Sequence, residues 1–243
     1  MPHQKTHREV KSPQISARYL ADFMAASEAT KRTIVRGCKY QAIARVVQHD
    51  EAKMAISQFI KCKENHKDIE ILNQKAKIIR NRIHDNTFDK DMFAHNADYI
   101  ECFANNWSQI VLPNADFLDA GKDSSIEINS VKVTIQIQFR LQRITKTNRA
   151  RVGAGMLRYA KGKPLKEAVG KWQSAFLFGY LNETKLDDGL EVEQAMCITI
   201  DAFSGTVIPA PSDSLSRFKN MAAACATIAE RWPNIKPPPN AVL

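Results

Sequence analysis

The spacing of apolar residues changes once along the chain, near residue 110. Before this point apolar residues recur every three or four positions, which is the spacing of one buried helix face. The first helix is expected to start at Ser16 as its cap and to stop at Gly37. Four helices are therefore predicted, over residues 16–35, 48–61, 68–84 and from Thr87 onwards.

After a connector over residues 113–125, apolar and polar residues alternate strictly from Val131 to Gln142. This alternation predicts one strand with a single buried face. A turn at 145–148 predicts a hairpin into a second strand, over 151–159. The remaining predicted elements are a helix at 165–181, strands at 195–202 and 206–210 around a Ser204-Gly205 turn, and a last helix capped by Ser212 or Ser214.

The predicted fold class is α+β (α/β), with a helical N-terminal half followed by a small mixed β-sheet in the order β-β-α-β-β-α. We expect a helical N-terminal region over 1–110 and an α/β region over 111–236. A flexible proline-rich tail is expected over 237–243.

Composition excludes several classes of protein. Apolar residues make up 44% of the 243 residues, enough for a packed core. No apolar run approaches the roughly 20 residues of a membrane span, and the segment Met1–Pro13 lacks the apolar core of a secretory signal. The cysteines form no CxxC pair, and their odd number suits free thiols in a reducing compartment. We therefore expect a cytoplasmic protein without a membrane partner.

The whole net charge of +9 lies within residues 140–171, where ten basic residues face a single acid, Glu167. A concentrated positive field favours a polyanionic partner such as a nucleic acid, if the sheet joins these residues into one rim. Two alternatives stay open: an acidic protein partner, or a solvated edge that keeps sheets from aggregating. The candidate nucleic-acid-binding residues are Arg140, Arg143, Lys146, Arg149, Arg151, Arg158, Lys161 and Lys163.

Three aromatic residues are interleaved with these charges: Phe139, Tyr159 and Trp172. Aromatic side chains stack on bases in single-strand binders. Phe139 shares the apolar phase of its strand, so a place in the core is favoured for it.

Catalytic candidates are few. His49 begins a predicted helix together with Asp50 and Glu51, where it could hold a metal or a proton; the two acids also simply favour a helix N-terminus. Asp201 ends a strand, where it could also just shape the following turn. The sequence has no GxSxG, HExxH, Walker or dinucleotide motif.

Three segments are similar to parts of a known family. Residues 15–40 form opening helices, residues 156–163 carry tyrosine and lysines at a strand end, and residues 172–180 form a helix that contains Gln173. With these segments the chain resembles the PD-(D/E)XK nuclease superfamily, most nearly its RecB-like branch, which includes the CRISPR-associated exonucleases. The resemblance implies that region 111–236 is an α/β nuclease-like region.

The resemblance also implies site residues. His49 could match the histidine of the RecB-like branch, and Gln173 matches the glutamine of its helical motif. Residues 156–163 are similar to its acid-tyrosine-lysine strand end, which places Lys161 near the catalytic lysine.

The metal-binding positions depart from that family. The first strand offers Gln136 or Gln138 where the family has an aspartate, and the second offers Met156 or Leu157. Phosphodiester cleavage by this family needs carboxylate oxygens that hold Mg²⁺ and position water. Asp201 or Glu127 would have to replace them.

The first hypothesis is therefore a nucleic-acid-binding protein on a nuclease-like scaffold without a metal centre or other cofactor, in phage defence or a mobile element. The second is an active nuclease dependent on Mg²⁺ or Mn²⁺, with His49, Asp201, Lys161 and Gln173 as catalytic candidates. The third is an adaptor subunit that docks an acidic protein partner.

Overall fold

The computed structural model describes residues 5–43, 49–121, 124–184 and 189–243, apart from the side chains at 64 and 65. Within these ranges the fold is α+β. The helices are Ala17–Met24 (α1), Glu28–Lys39 (α2), Asp50–Lys61 (α3), Glu70–Arg80 (α4), Thr87–Asn105 (α5), Glu167–Glu183 (α6) and Ser214–Arg231 (α7). The strands are His7–Glu9 (β1), Gln14–Ser16 (β2), Tyr40–Ala42 (β3), Asp116–Asp119 (β4), Ser124–Ile128 (β5), Val131–Ile135 (β6), Phe139–Ile144 (β7), Ala150–Arg158 (β8), Leu190–Asp201 (β9) and Thr206–Pro209 (β10).

A mixed sheet of five strands forms the centre, in the order β10-β9-β8-β7-β4. β8 and β9 run parallel and are connected through α6, while the other neighbours pair antiparallel. Most of β8 and the second half of β9 are buried. Strands that are covered on both faces carry such nearly continuous apolar runs.

Helices cover both faces of this sheet. Ala154 and Cys197 lie in one core with side chains of α1, α2, α6 and α7. Leu157 and Ile198, on the opposite face, lie in a second core with side chains of α3, α4 and α5. The first core draws Leu20 from the predicted helical region. The two cores therefore do not follow the expected boundary near residue 110, and the domain division stays a prediction.

Two smaller sheets extend the molecule. β2 pairs parallel with β6, which pairs antiparallel with β5. β1 pairs antiparallel with β3. The C-terminal residues return to the sheet of β1 and β3. There the Val242 amide donates a hydrogen bond at 2.9 Å to Oγ1 of Thr6, the residue before β1. The N-terminal half is thus less purely helical than predicted.

The alternating stretch 131–142 is two strands, not the single strand predicted. β6 belongs to the three-stranded sheet and β7 to the five-stranded sheet, and residues 136–138 cross between them. Every second residue stays buried throughout, Ile137 included. Alternation reports which face is buried and not which strand is paired, so the sequence pattern does not show the crossing.

The predicted helix over 16–35 is also two elements. The Ser16 hydroxyl accepts a hydrogen bond from the Tyr19 amide and caps α1, as expected. Ser27 then caps α2 by accepting from the Thr30 amide. α2 continues through Gly37, which therefore does not stop it.

Other boundaries shift by a few residues. α3 begins at Asp50, and the predicted start at Gln48 lies outside the described residues. α4 ends at Arg80, which leaves Ile83 92% exposed rather than buried. The connector predicted over 113–125 contains β4, and Leu215, expected on the buried stripe of α7, is exposed.

The hairpin prediction is confirmed. β7 and β8 pair antiparallel across residues 145–149, and the Thr145 amide donates to the Arg149 carbonyl at 2.9 Å. Asn148 adopts a φ of 56°. This is a left-handed conformation that asparagine tolerates better than most residues.

Candidate functional site

Three adjoining clefts form one groove where the five-stranded sheet meets α1, α3 and the three-stranded sheet. The central cleft has a volume of about 450 Å³, with outer clefts of about 560 and 460 Å³ on either side. Arg18 and Arg158 line both the central and the first outer cleft. Lys53, Gln136 and Gln138 line both the central and the second outer cleft. We call these three clefts together the groove.

The groove is predominantly basic. Among the described residues, four carboxylates line it, of which Asp22 and Asp119 are in ion pairs with Arg158 and Lys61. Basic residues from separate parts of the chain outnumber these carboxylates. The basic residues that line the groove are Arg18, Lys53, Lys132, Arg158, Lys163 and Lys166.

At the centre of the groove, Arg158 is held by a buried network. Its guanidinium donates to Gln173 Oε1 at 2.9 Å and to Asp22 Oδ1 at 2.8 Å. Gln173 is fully buried, and its amide also donates to Met156 Sδ at 3.4 Å. Burial lowers the pKa of Arg158, and Asp22 opposes that effect. The structure thus brings the predicted residues Gln173 and Arg158 into contact.

Gln138 and Met156 line the groove beside this network, at positions where the family resemblance would place carboxylates. Gln138 Oε1 accepts a hydrogen bond from the Leu157 amide at 2.7 Å. Across the described part of the chain, no three His, Cys, Asp or Glu side chains are grouped to hold a metal ion.

Asp201 is engaged in local structure. Its carboxylate is 1% exposed and accepts hydrogen bonds from the Leu165 amide at 2.9 Å and the Ser204 hydroxyl at 2.7 Å. The Phe203 amide donates to it at 3.2 Å. Its oxygens therefore fasten the start of the segment leading into α6 and the turn after β9.

His49 immediately precedes α3 and is partly buried. Its ring packs edge-on against Tyr99 and Tyr159, with ring centroids 5.5 and 5.9 Å apart. Burial lowers the pKa of His49, and the positive charge of Lys53, a groove residue, lowers it further. His49 Nδ1 is buried without a hydrogen-bond partner among the described residues.

The other proposed acids and the lysine lie apart from this centre. Glu127 is exposed on β5, paired in register with Lys132. Lys161 follows β8 and forms an ion pair with Asp98 of α5 at 2.6 Å. Glu51 forms a bidentate pair with Arg82, at 2.7 and 2.9 Å. The carboxylates of Glu127, Asp98 and Glu51 are not among the described residues that line the groove.

The predicted basic rim is divided between the two ends of β8. Arg143 pairs in register with Arg151 at the hairpin end. Arg158 lies at the other end of the strand, about 23 Å away at the usual rise per strand residue. The eight predicted residues therefore do not form one rim. Arg158 and Lys163 line the groove, while Arg140 donates to the Ala120 carbonyl at 3.3 Å.

Acids of β9 neutralise much of the hairpin end. Arg143 forms a bidentate ion pair with Glu193, and Glu191 pairs with both Arg149 and Arg151. Lys146 forms no ion pair with any described residue. Two acids that come much later in the chain thus offset two of the four positive charges at the hairpin end.

None of the three interleaved aromatic residues presents a fully exposed ring. Phe139 is fully buried, as the apolar phase of its strand indicated. Tyr159 is buried and stacks on Tyr99 at 4.5 Å. Trp172 is covered by the guanidinium of Arg217 at 4.6 Å.

Three basic groove residues are not predicted from the sequence: Arg18, Lys53 and Lys132. They are far apart in sequence and lie outside the charge-dense segment, so local charge counting does not detect them. Their convergence depends on β2 pairing with β6 beside α1 and α3.

A comparison with protein-family models finds no match, and a comparison with curated proteins finds none either. Among the helices of the described segments, none combines the length and the apolar character needed to cross a membrane.

Proposed function

We propose that the protein binds a nucleic-acid strand in the groove, through the phosphates, on a nuclease-like scaffold of the RecB-like type without a metal centre. The observation that carries this proposal is the convergence of six basic side chains from separate elements along one groove. Phosphate contacts by Lys and Arg supply most of the affinity of binding that is independent of base sequence.

The central network supports the nuclease-like part of the proposal. If Met156 occupies the place of the family's acid, the lysine of the acid-x-lysine pattern falls two residues later on β8, at Arg158, rather than at Lys161, the position expected from the sequence. Gln173 forms hydrogen bonds with both residues. Gln138, which directly precedes β7, lines the groove beside them. A metal-binding acid is thus replaced by methionine while the cation is kept, which suits holding a phosphate rather than hydrolysing it.

The lack of exposed aromatic platforms in the predicted segment favours backbone contacts over base stacking. We therefore expect weak dependence on base sequence and strong dependence on salt. The proposed role in phage defence or a mobile element rests on the RecB-like resemblance alone.

The test compares two variants that each lose three positive charges. The groove variant carries Arg18→Gln, Lys132→Gln and Lys163→Gln. The control carries Arg143→Gln, Lys146→Gln and Arg149→Gln at the hairpin. Binding of a fluorescein-labelled 30-nucleotide single strand is measured by anisotropy between 50 and 400 mM salt. Each lost phosphate contact changes the slope of log K against log salt by about 0.7.

We expect the groove variant to flatten this slope by about 2, and the hairpin control to change it by less than about 1. A larger loss in the hairpin control than in the groove variant would move the binding site to the hairpin, and an equal loss in the two would contradict a site specific to the groove. A wild-type protein that binds neither single strand nor duplex at 50 mM salt would refute the proposal. Mn²⁺-dependent cleavage that EDTA abolishes would instead support the active-nuclease alternative.

A further inference from the structure

One wall of the groove is a face of the three-stranded sheet. On the opposite face of that sheet, Ile15 and Val133 lie in the first core. Because successive side chains of a strand point to opposite faces, their neighbours Ser16, Lys132 and Thr134 point away from this core. All three line the central cleft. The wall is therefore polar, and the core behind it holds its side chains in fixed positions relative to one another.

Three hydroxyl side chains form a row across this wall. Thr134 of β6 is paired in register with Ser16 of β2 on one side and with Ser125 of β5 on the other. Such partners on neighbouring strands point to the same face and lie about 5 Å apart. Ser125 lines the central cleft as the other two do. We call these three side chains the hydroxyl row.

Two members of the hydroxyl row keep their full capacity for hydrogen bonding. The Ser16 oxygen accepts a hydrogen bond from the Tyr19 amide at 3.2 Å. The hydroxyls of Ser125 and Thr134 are exposed and form no hydrogen bond with any described residue. A hydroxyl can donate one hydrogen bond and can also accept through its oxygen. The row thus offers a ligand two acceptor oxygens as well as donors.

Acceptors are otherwise scarce in the central cleft. None of the described residues that line it is an aspartate or a glutamate. Each of its three glutamine side chains already accepts a hydrogen bond through its oxygen: Gln136 from Lys53, Gln138 from the Leu157 amide and Gln173 from Arg158. A phosphodiester only accepts hydrogen bonds, so the cations of the cleft suffice for it. Acceptors in the wall suit a ligand group that donates.

The cations lie beside the hydroxyl row. Lys132 is two residues before Thr134 on the same face of β6, about 7 Å away at the usual rise per residue. Arg18 follows two residues after Ser16, in the first turn of α1. Phosphates and sugars alternate along a nucleic-acid strand, so phosphates at these cations place a sugar at the row. Within a strand, the sugar group that can donate a hydrogen bond is the 2′-hydroxyl of ribose, which DNA lacks.

We infer that Thr134 and Ser125 accept hydrogen bonds from ribose 2′-hydroxyls, and that the strand bound in the groove is RNA in preference to DNA. The inference rests on the proposed function and adds to it the class of nucleic acid and the residues that select it. The cations hold the phosphates that both nucleic acids have, while the hydroxyl row contacts the group that differs between them.

The test compares a 30-nucleotide oligouridine with the matching oligodeoxyuridine, both fluorescein-labelled, so that only the 2′ position differs. The wild-type protein should bind the RNA about fivefold to tenfold more tightly, which corresponds to one or two uncharged hydrogen bonds. A 2′-fluoro strand, which cannot donate at this position, should bind like the DNA. This arm requires no variant.

The variant arm combines Thr134→Val with Ser125→Ala. Both residues are exposed, so the fold should be kept. The double variant should bind RNA and DNA equally, with the affinity for DNA unchanged. Its salt slope should also be unchanged, because no phosphate contact is lost. The matched control combines Thr206→Val with Ser216→Ala, two exposed hydroxyls that line none of the three clefts, and should keep the preference for RNA.

The outcomes separate this inference from the proposed function. Equal binding of RNA and DNA by the wild-type protein overturns the inference and leaves the proposed function standing. A preference for RNA that the double variant keeps overturns the role of the hydroxyl row. An equal loss for RNA and DNA in the double variant assigns the hydroxyls to phosphate and likewise overturns it. If neither strand binds at 50 mM salt, the proposed function is refuted, and the inference with it.

Discussion

Replacing Asp201 by alanine distinguishes a structural carboxylate from a catalytic one. The carboxylate is almost fully buried and accepts three hydrogen bonds, from Leu165, Phe203 and Ser204. A hydrogen bond to a charged group contributes about 1.5–3 kcal/mol. The Phe203 contact is long, and the Ser204 hydroxyl can turn to another partner. We therefore expect Asp201→Ala to lower the free energy of unfolding by about 3 kcal/mol.

For a domain of this size, such a loss corresponds to a fall in melting temperature of about 6–12 °C. Differential scanning calorimetry measures it, with Ser204→Ala as a control that removes one of the three bonds and should cost about 1 kcal/mol. Asp201→Asn keeps one acceptor oxygen and should fall between these variants. A melting temperature of Asp201→Ala within about 1 °C of the wild type would show that the carboxylate is not structural, and would return Asp201 to the list of catalytic candidates.

Three further predictions concern the core, a helix end and the thiols. Gly155→Ala should destabilise the protein by about 1–3 kcal/mol in urea unfolding, because an added Cβ would overlap the buried Phe139 ring. In a Phe139→Leu background the same substitution should cost less, and a double variant whose loss equals the sum of the two single losses would contradict the clash. Lys39→Met should lower the free energy of unfolding by about 2 kcal/mol, whereas Glu9→Gln should cost little, and equal losses would contradict this. The reason is that the Lys39 ammonium donates to three carbonyls after α7, at 2.9, 3.4 and 3.4 Å, and approaches Glu9 only at 3.5 Å. Iodoacetamide at pH 8 should label the exposed Cys62 first, as peptide mass mapping would show, and early labelling of a buried thiol would be inconsistent with this packing. Burial raises the pKa of the three buried thiols, to about 11 for Cys38 and about 12 for Cys197 and Cys225.

The elements of the chain were more predictable from sequence than their partners. The spacing of Ala52, Ile56 and Phe59 correctly indicated a buried face, because helix periodicity is a local property. The alternation from Val131 to Leu141 was equally regular and still concealed a change of sheet, because burial of one face does not specify which strand lies alongside.

The same distinction applies to the groove. The charge-dense segment is visible in the sequence, but Glu191 and Glu193, which form ion pairs with three arginines of its hairpin end, reach it only through the β8–β9 pairing. Arg18 and Lys132 are not predictable as groove residues, because nothing near them in sequence marks them as neighbours of Arg158. Gln173 is predicted as a site residue through a family resemblance, and its hydrogen bond to Arg158 is observed independently of that resemblance.

The crossing at residues 136–138 has a consequence for the kinetics of binding. It joins the three-stranded sheet to the five-stranded sheet and lines the groove between them. From Ile135 to Phe139 the fully extended backbone spans at most about 14 Å, and side chains of both sheets, such as Val133 and Ala154, pack in one core. The shared core keeps the two walls from swinging apart as hinged domains do. A strand should then enter a preformed site in a single kinetic phase without a slow isomerisation, and salt should act mainly on the association rate constant.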